Sequence, residues 1–393
     1  MPAVPTRDLS AIVKAYDIRG VVGEQLDADI ARRLGAAFAR LVGRPEVPAV
    51  LIGRDMRVSS DELADGFAAG VTDQGLDVVD IGLASTDLLY FGAGRLAMPG
   101  VMITASHNPG RYNGFKLCRA GAVPIAEELT QLRADAERGL PAGPGGGTRT
   151  RRELLTEYAD YLRKLVDLSG IRPLRVVVDA GNGMAGYTVP AVFDGLPIEL
   201  VRLYCELDGT FPNHEANPLD PANLVDLSAR VLAERADLGL AFDGDADRCF
   251  VVDERGEPVS ASAITALVAC RELAREPGAT VIYNLITSRA VPEIVAERGG
   301  RPVRTRVGHS FIKQTMASSG AIFGGEHSAH YYFRDFWCAD SGMLAALHVL
   351  AALGEKDRPL SELASAYETY AASGEINSTV ADAKERTMAV LEA

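Results

Sequence analysis

Ser106 lies at the end of an apolar run, in the segment Thr104-Ala105-Ser106-His107-Asn108-Pro109-Gly110. Pro109 and Gly110 enforce a turn there and expose the serine. A serine in that setting can cap a helix, or it can carry a phosphoryl group if cations and donors surround it. His107 and Asn108 are adjacent, and Lys116 lies ten positions on. A hydroxyl is a weak nucleophile unaided, so this reading also requires a base or a metal.

The second candidate is Phe242-Asp243-Gly244-Asp245-Ala246-Asp247-Arg248. Carboxylates at alternate positions, spaced by Gly244 and Ala246, can converge on one cation. An all-oxygen set favours Mg²⁺ or Ca²⁺ over zinc. A calcium-binding helix–loop–helix is excluded, because its sixth position would be Arg248 where glycine is needed and both flanks read as strands. Arg248 suits a clamp on phosphate or carboxylate. In the third candidate, Phe323-Gly324-Gly325-Glu326-His327-Ser328-Ala329-His330, the paired glycines allow close backbone approach. Glu326 and Ser328 alternate and could face the vicinal hydroxyls of one sugar.

Each loop follows an apolar segment able to position it. Ala49–Gly53, Asp77–Gly82, Gly100–Thr104, Arg175–Asp179, Leu238–Phe242 and Thr280–Asn284 read as strands covered on both faces. Ala28 to Val42 and Asp61 to Gln74 have helical spacing. Three strand-to-helix openings recur, at Ile52–Asp55, Val178–Gly183 and Tyr283–Ser288, hinting at three copies of one α/β unit with mixed sheets. The expected division is 8–138, a flexible Pro/Gly linker at 139–152, then 153–256, 257–371 and a remainder at 372–393.

The 393 residues are 47% apolar and 24% charged, enough for packed cores, and the net charge is −13. That charge disfavours nucleic acid and anionic membrane as partners. The five cysteines form no C-x-x-C pair, which fits a reducing compartment, and the start carries no signal pattern, so a cytoplasmic location is expected. Oligomeric state is not legible.

With all three loops in view, the chain resembles the α-D-phosphohexomutase family, above all its bacterial phosphomannomutases and dual phosphomannomutase/phosphoglucomutases. The likeness runs from Asp17-Ile18-Arg19-Gly20 to about Ser378. It implies an α/β fold of three tandem α/β/α domains with mixed sheets, plus the start of a fourth C-terminal domain. It implies a phosphoserine at Ser106, with Ser106, Asp243, Asp245 and Asp247 holding one Mg²⁺ per chain. Catalytic roles fall on Ser106, His107, Lys116 and Arg19. Substrate contacts fall on Tyr16, Arg19, Asn108, Lys116, Arg248, Gly308, His309, Glu326, Ser328 and His330, with Glu326 and Ser328 on the sugar's 3- and 4-hydroxyls. The implied reaction interconverts mannose 6-phosphate and mannose 1-phosphate through a hexose 1,6-bisphosphate, which also serves as activator, and feeds GDP-mannose. Glucose phosphates are the alternative substrates; a Mg²⁺-dependent phosphatase and a sugar-phosphate-binding remnant are the rivals from other classes.

Two departures from the family pattern stand out. The lysine that some members carry in the third unit's first strand-loop is missing from Tyr283-Asn284-Leu285-Ile286. The family's fourth-domain R-x-S-x-T-type phosphate loop is not found in 372–393, from which slow turnover is expected.

Overall fold

The computed structural model describes residues 7–13, 17–44, 46–47, 49–371, 380–382 and 386. Tyr16 and the greater part of the 372–393 segment lie outside the described residues, as does the side chain of His309. Among the described residues there are three sheets, and one strand order recurs in all of them. In the first, Gly100–Ile103 runs parallel to Ala49–Arg54, which runs parallel to Asp77–Leu83, while Tyr112–Arg119 pairs antiparallel with Gly100–Ile103. In the second, Leu238–Phe242, Leu174–Asp179, Ile198–Leu203 and Cys249–Asp253 repeat that arrangement. In the third, the places are taken by Phe323–Gly325, Thr280–Asn284, Arg301–Thr305 and Tyr331–Phe333. The serine, aspartate and glutamate loops are therefore the same loop three times, the turn from a central parallel strand into its antiparallel neighbour.

Local sequence explains the elements. Val176, Val177 and Val178 are wholly buried, as a strand with helices on both faces requires. Helix Ala28–Val42 is capped by Asp27, whose carboxylate accepts from the Ile30 N–H at 2.8 Å. The segment expected as a flexible linker at 139–152 is partly ordered on the first unit. Arg149–Arg151 is a strand parallel to Asp77–Leu83. Asp77 draws it in, accepting from the N–H and hydroxyl of Thr148 at 2.7 and 2.8 Å. At Gly147 a Cβ would lie 2.1 Å from the Leu76 carbonyl oxygen, so only glycine permits that approach.

The three units share one core. Leu88 and Phe91 of helix Thr86–Arg95, Tyr158 of helix Leu155–Leu165, and Leu344 and Leu347 of helix Gly342–Gly354 belong to a single buried cluster. At its centre is a buried carboxylate. Asp87 accepts from Ser85 Oγ at 2.5 Å, Tyr158 OH at 2.7 Å and Ser341 Oγ at 2.7 Å, one donor from each unit. Burial pushes the Asp87 carboxyl up to about 6. Its proton is thus held more tightly in the fold than in the unfolded chain, and stability falls as pH rises from about 4 through about 6. Asp87→Asn carries no such titration. The stability gap should move in the variant's favour by about 2 kcal/mol between pH 4 and pH 7, read by urea unfolding.

Candidate active site

Ser106 closes the first loop in a left-handed conformation, φ 52°, that non-glycine residues seldom adopt. Three contacts hold it there. Its N–H donates to Thr104 Oγ1 at 2.9 Å, and its carbonyl accepts from the Arg57 guanidinium at 2.8 Å. The Gly244 backbone packs so closely that a Cβ there would be 2.4 Å from the Ser106 carbonyl oxygen. The hydroxyl is thereby aimed at the second loop, where Ser106 Oγ donates to Asp243 Oδ2 at 2.8 Å.

Asp243, Asp245 and Asp247 are all buried, and an oxygen from each lies within 4.8 Å of the others. Lys116 Nζ bridges Asp245 Oδ2 and Asp247 Oδ2 at 2.6 and 2.5 Å. Arg248 Nε donates to Asp243 Oδ2 at 2.9 Å. Thr86 braces the cluster from the first unit, its hydroxyl donating to Asp245 Oδ2 at 2.6 Å. Burial and the neighbouring Asp247 and Asp245 push the Asp243 carboxyl up to about 7 despite Arg248. Burial opposes the charge on Asp247, yet Lys116 and His330 hold that carboxyl down at about 2. Burial also opposes the charge on Lys116, but Asp245 and Asp247 outweigh it and keep the ammonium protonated well beyond its ordinary range.

The carboxylates fit a divalent cation. Among the described residues, Asp245 Oδ1 and Asp247 Oδ1 are buried with no hydrogen-bond donor, an arrangement that costs free energy unless a cation meets them. A purely oxygen donor set is that of a hard ion. Adding Mg²⁺ should therefore stabilise the chain, by about 2.7 kcal/mol at a hundredfold excess over Kd. Asp245→Asn should weaken binding by about tenfold or more, measured by calorimetric titration, because it removes a charged ligand.

The other expected residues gather around this pair of loops. Arg19 Nη1 donates to Asn108 Oδ1 at 2.6 Å. His107 Nδ1 is 3.3 Å from Ser106 Oγ. Burial, then Arg248 and Arg19, lower the His107 pKa to about 3, so its imidazole is neutral and a weak base. The third loop joins through its backbone, His330 bridging antiparallel to Arg248. His330 Nε2 stands 3.7 Å from Asp247 Oδ1, and its Nδ1 is 3.0 Å from Ser328 Oγ. Glu326 is more enclosed than the alternation of Glu326 and Ser328 implied. Its oxygens accept from Asn284 Nδ2 at 3.0 Å, Tyr332 OH at 2.7 Å and, at 3.4 Å, the Gly308 N–H. His309 opens helix His309–Ser319 beside it.

Several members of this machinery were not singled out in the sequence. Arg57 is buried, ion-paired to Asp55 Oδ2 at 3.1 Å, and donates to the carbonyls of Ser106, Asn108, Pro109 and Tyr112. The signal was Gly53-Arg54-Asp55-Met56-Arg57, an acid and a base two apart after a buried strand. Asn284 stands beside Glu326, in the stretch that lacks the expected lysine. Thr86 and Asp87 carried no local signal, since their partners are distant in sequence.

Fold and site define a class: an α/β enzyme in which three equivalent loops bring a serine hydroxyl against a metal-capable carboxylate cluster. Family models for phosphoglucomutase/phosphomannomutase α/β/α domains I, II and III match residues 10–138, 156–256 and 260–370. The chain belongs to the phosphoglucomutase/phosphomannomutase family. It is 40% identical over 387 residues to the phosphomannomutase/phosphoglucomutase of Pseudomonas aeruginosa, covering 98% of this chain and 82% of that protein. It is 41% identical over 386 residues to the phosphomannomutase of Escherichia coli, covering 95% and 84%. A crystal structure of a phosphoglucomutase/phosphomannomutase family protein from Burkholderia thailandensis superposes with a TM-score of 0.85 at 37% identity, covering 91% of this chain and 79% of that one. No helix among the described residues is long and apolar enough to cross a membrane.

Proposed function

We propose that this protein is a phosphohexomutase that interconverts mannose 6-phosphate and mannose 1-phosphate, with the phosphoryl group carried on Ser106. The observation that carries this reading is the 2.8 Å contact of Ser106 Oγ with Asp243 inside the buried carboxylate cluster. Asp243, Asp245, Asp247 and the oxygen of Ser106 would hold Mg²⁺, which when bound neutralises charge on the transferring phosphoryl oxygens.

The chain's own residues position the rest. Phospho-Ser106 gives its phosphoryl group to the free hydroxyl of the hexose phosphate, leaving a serine alkoxide that regains a proton and a 1,6-bisphosphate in the cleft. The bisphosphate turns over, and its other phosphoryl group passes to Ser106. Arg19, Lys116 and Arg248 supply positive charge around the transfer. The accepting hydroxyl must lose a proton. His107, whose Nδ1 is 3.3 Å from Ser106 Oγ, and His330, whose Nε2 is 3.7 Å from Asp247 Oδ1, are the imidazoles beside the transfer that can take it. Glu326 and Ser328 are assigned to the sugar's 3- and 4-hydroxyls; Glu326 Oε2, which accepts from Tyr332 OH, keeps a further lone pair for a ligand.

A dual phosphomannomutase/phosphoglucomutase activity is favoured by that last assignment. Glucose and mannose differ at C2, and a grip on C3 and C4 discriminates weakly between them. Coupled assays with mannose 1-phosphate and glucose 1-phosphate, with and without hexose 1,6-bisphosphate, test the reading. A mutase depends on the bisphosphate; steady release of inorganic phosphate would instead mark a phosphatase.

A further inference from the structure

Outside the site, residues 204–217 leave the second unit and reach the first. Asn182, itself at φ 58°, ties down the base of this loop. Its N–H donates to the Tyr204 carbonyl at 2.8 Å and its side-chain amide to the Glu206 carbonyl at 2.9 Å, while its carbonyl accepts from the Asp208 N–H at 3.0 Å. Asn213 Nδ2 donates to Asn182 Oδ1 at 2.8 Å. The return arm is seated by His214, whose Nε2 is 2.9 Å from the buried Asp179 Oδ2 and whose Nδ1 is 2.9 Å from the Glu215 carbonyl. Both partners are acceptors, so both contacts are satisfied together only by an imidazolium. Burial opposes that charge and Asp179 outweighs it, so the His214 pKa is raised.

The tip of the loop meets Arg57. A Cβ at Gly209 would be 2.4 Å from the Arg57 Cα, and one at Gly110 would be 2.5 Å from the Gly209 carbonyl oxygen. The Arg57 guanidinium lies 5.0 Å over the ring centre of Phe211, which is also held at positive φ. The same guanidinium bonds four carbonyls of the turn that carries Ser106.

We propose that residues 204–217 are a clasp through which the second unit holds Arg57 and, through Arg57, the turn presenting Ser106, with His214 on Asp179 as the positioning residue that seats it. This deepens the reading of Ser106 as phosphoryl carrier and rests on that reading for its catalytic consequence. Its structural core is tested independently, by hydrogen–deuterium exchange on the full chain at residues 104–112. His214→Ala and Phe211→Ala should each speed exchange there by about tenfold. His214→Gln, whose amide N–H can still reach Asp179, should stay within about threefold of the parent chain. Phe211 is half-buried, so its variant serves if the histidine variant does not fold. Faster exchange confined to 204–217, with 104–112 unchanged, would overturn the clasp, as would His214→Gln behaving like His214→Ala. In a second readout, phosphoryl uptake by Ser106 from glucose 1,6-bisphosphate should slow in His214→Ala and recover in His214→Gln, with Mg²⁺ affinity unaltered. A parent chain that took up no phosphoryl group would sink the functional reading and leave the exchange result to decide the clasp.

Discussion

Ser106→Ala should lower kcat/KM for hexose phosphate by at least about a thousandfold, because it removes the atom to which the phosphoryl group bonds rather than one of several supporting charges. Little else should change. Alanine occupies the same backbone position, the Thr104 and Arg57 contacts are made to the main chain, and the hydroxyl's contacts with Asp243 and His107 are the interactions lost. The variant should therefore fold and still bind substrate, with the loss appearing in kcat. A fall in activity matched by a fall in thermal stability would point instead to a structural serine. Cys, Thr or Asp at the same position would be poorer controls, since each offers another nucleophile or charge beside the carboxylates.

The largest effect on stability is expected at Arg57, which makes no contact with the carboxylate triad. Arg57→Met removes a buried guanidinium that serves Asp55 and four carbonyl oxygens. Asp55 is itself buried, and burial already pushes its carboxyl up in spite of Arg57. Deleting one partner of a buried pair leaves the other charge without its counter-charge and costs about 3–5 kcal/mol, to be read from urea unfolding. Activity should fall with it even under conditions where the variant is folded, because the Ser106 turn at φ 52° depends on that guanidinium to stay in place. Arg57→Lys should be nearly as damaging, since one ammonium cannot reach five acceptors arranged for a planar fork.

The sequence made the strands and loops readable where the signal was local. Leu238–Phe242 and Thr280–Asn284 are continuous apolar runs, and their limits in the fold match those read from the chain. The repeated openings at Asp55, Asp179 and Asn284 end three parallel strands in equivalent positions. The three active-site loops showed as departures from apolar patterning, glycines and carboxylates where a strand should have continued. Long-range pairings left no such trace. Asp87 meets Tyr158 and Ser341, 71 and 254 residues away, and nothing in Ser85-Thr86-Asp87 announces either partner. The order of 139–152 was hidden for another reason. Its Pro/Gly composition permits flexibility, but Asp77 and the bare backbone at Gly147 hold it against the first sheet. The enclosure of Glu326 was equally unreadable, because Asn284 reaches it from another strand.

The most direct test is site mapping of the full chain after incubation with Mg²⁺ and ³²P-labelled glucose 1,6-bisphosphate, followed by chase with unlabelled mannose 1-phosphate. One labelled phosphoryl group is expected on the peptide containing Ser106, its label passing to hexose phosphate during the chase while Ser106 is rephosphorylated from the substrate, and none in Ser106→Ala. Label on another residue, or label on Ser106 that the chase does not displace, would contradict phosphoryl transfer through Ser106.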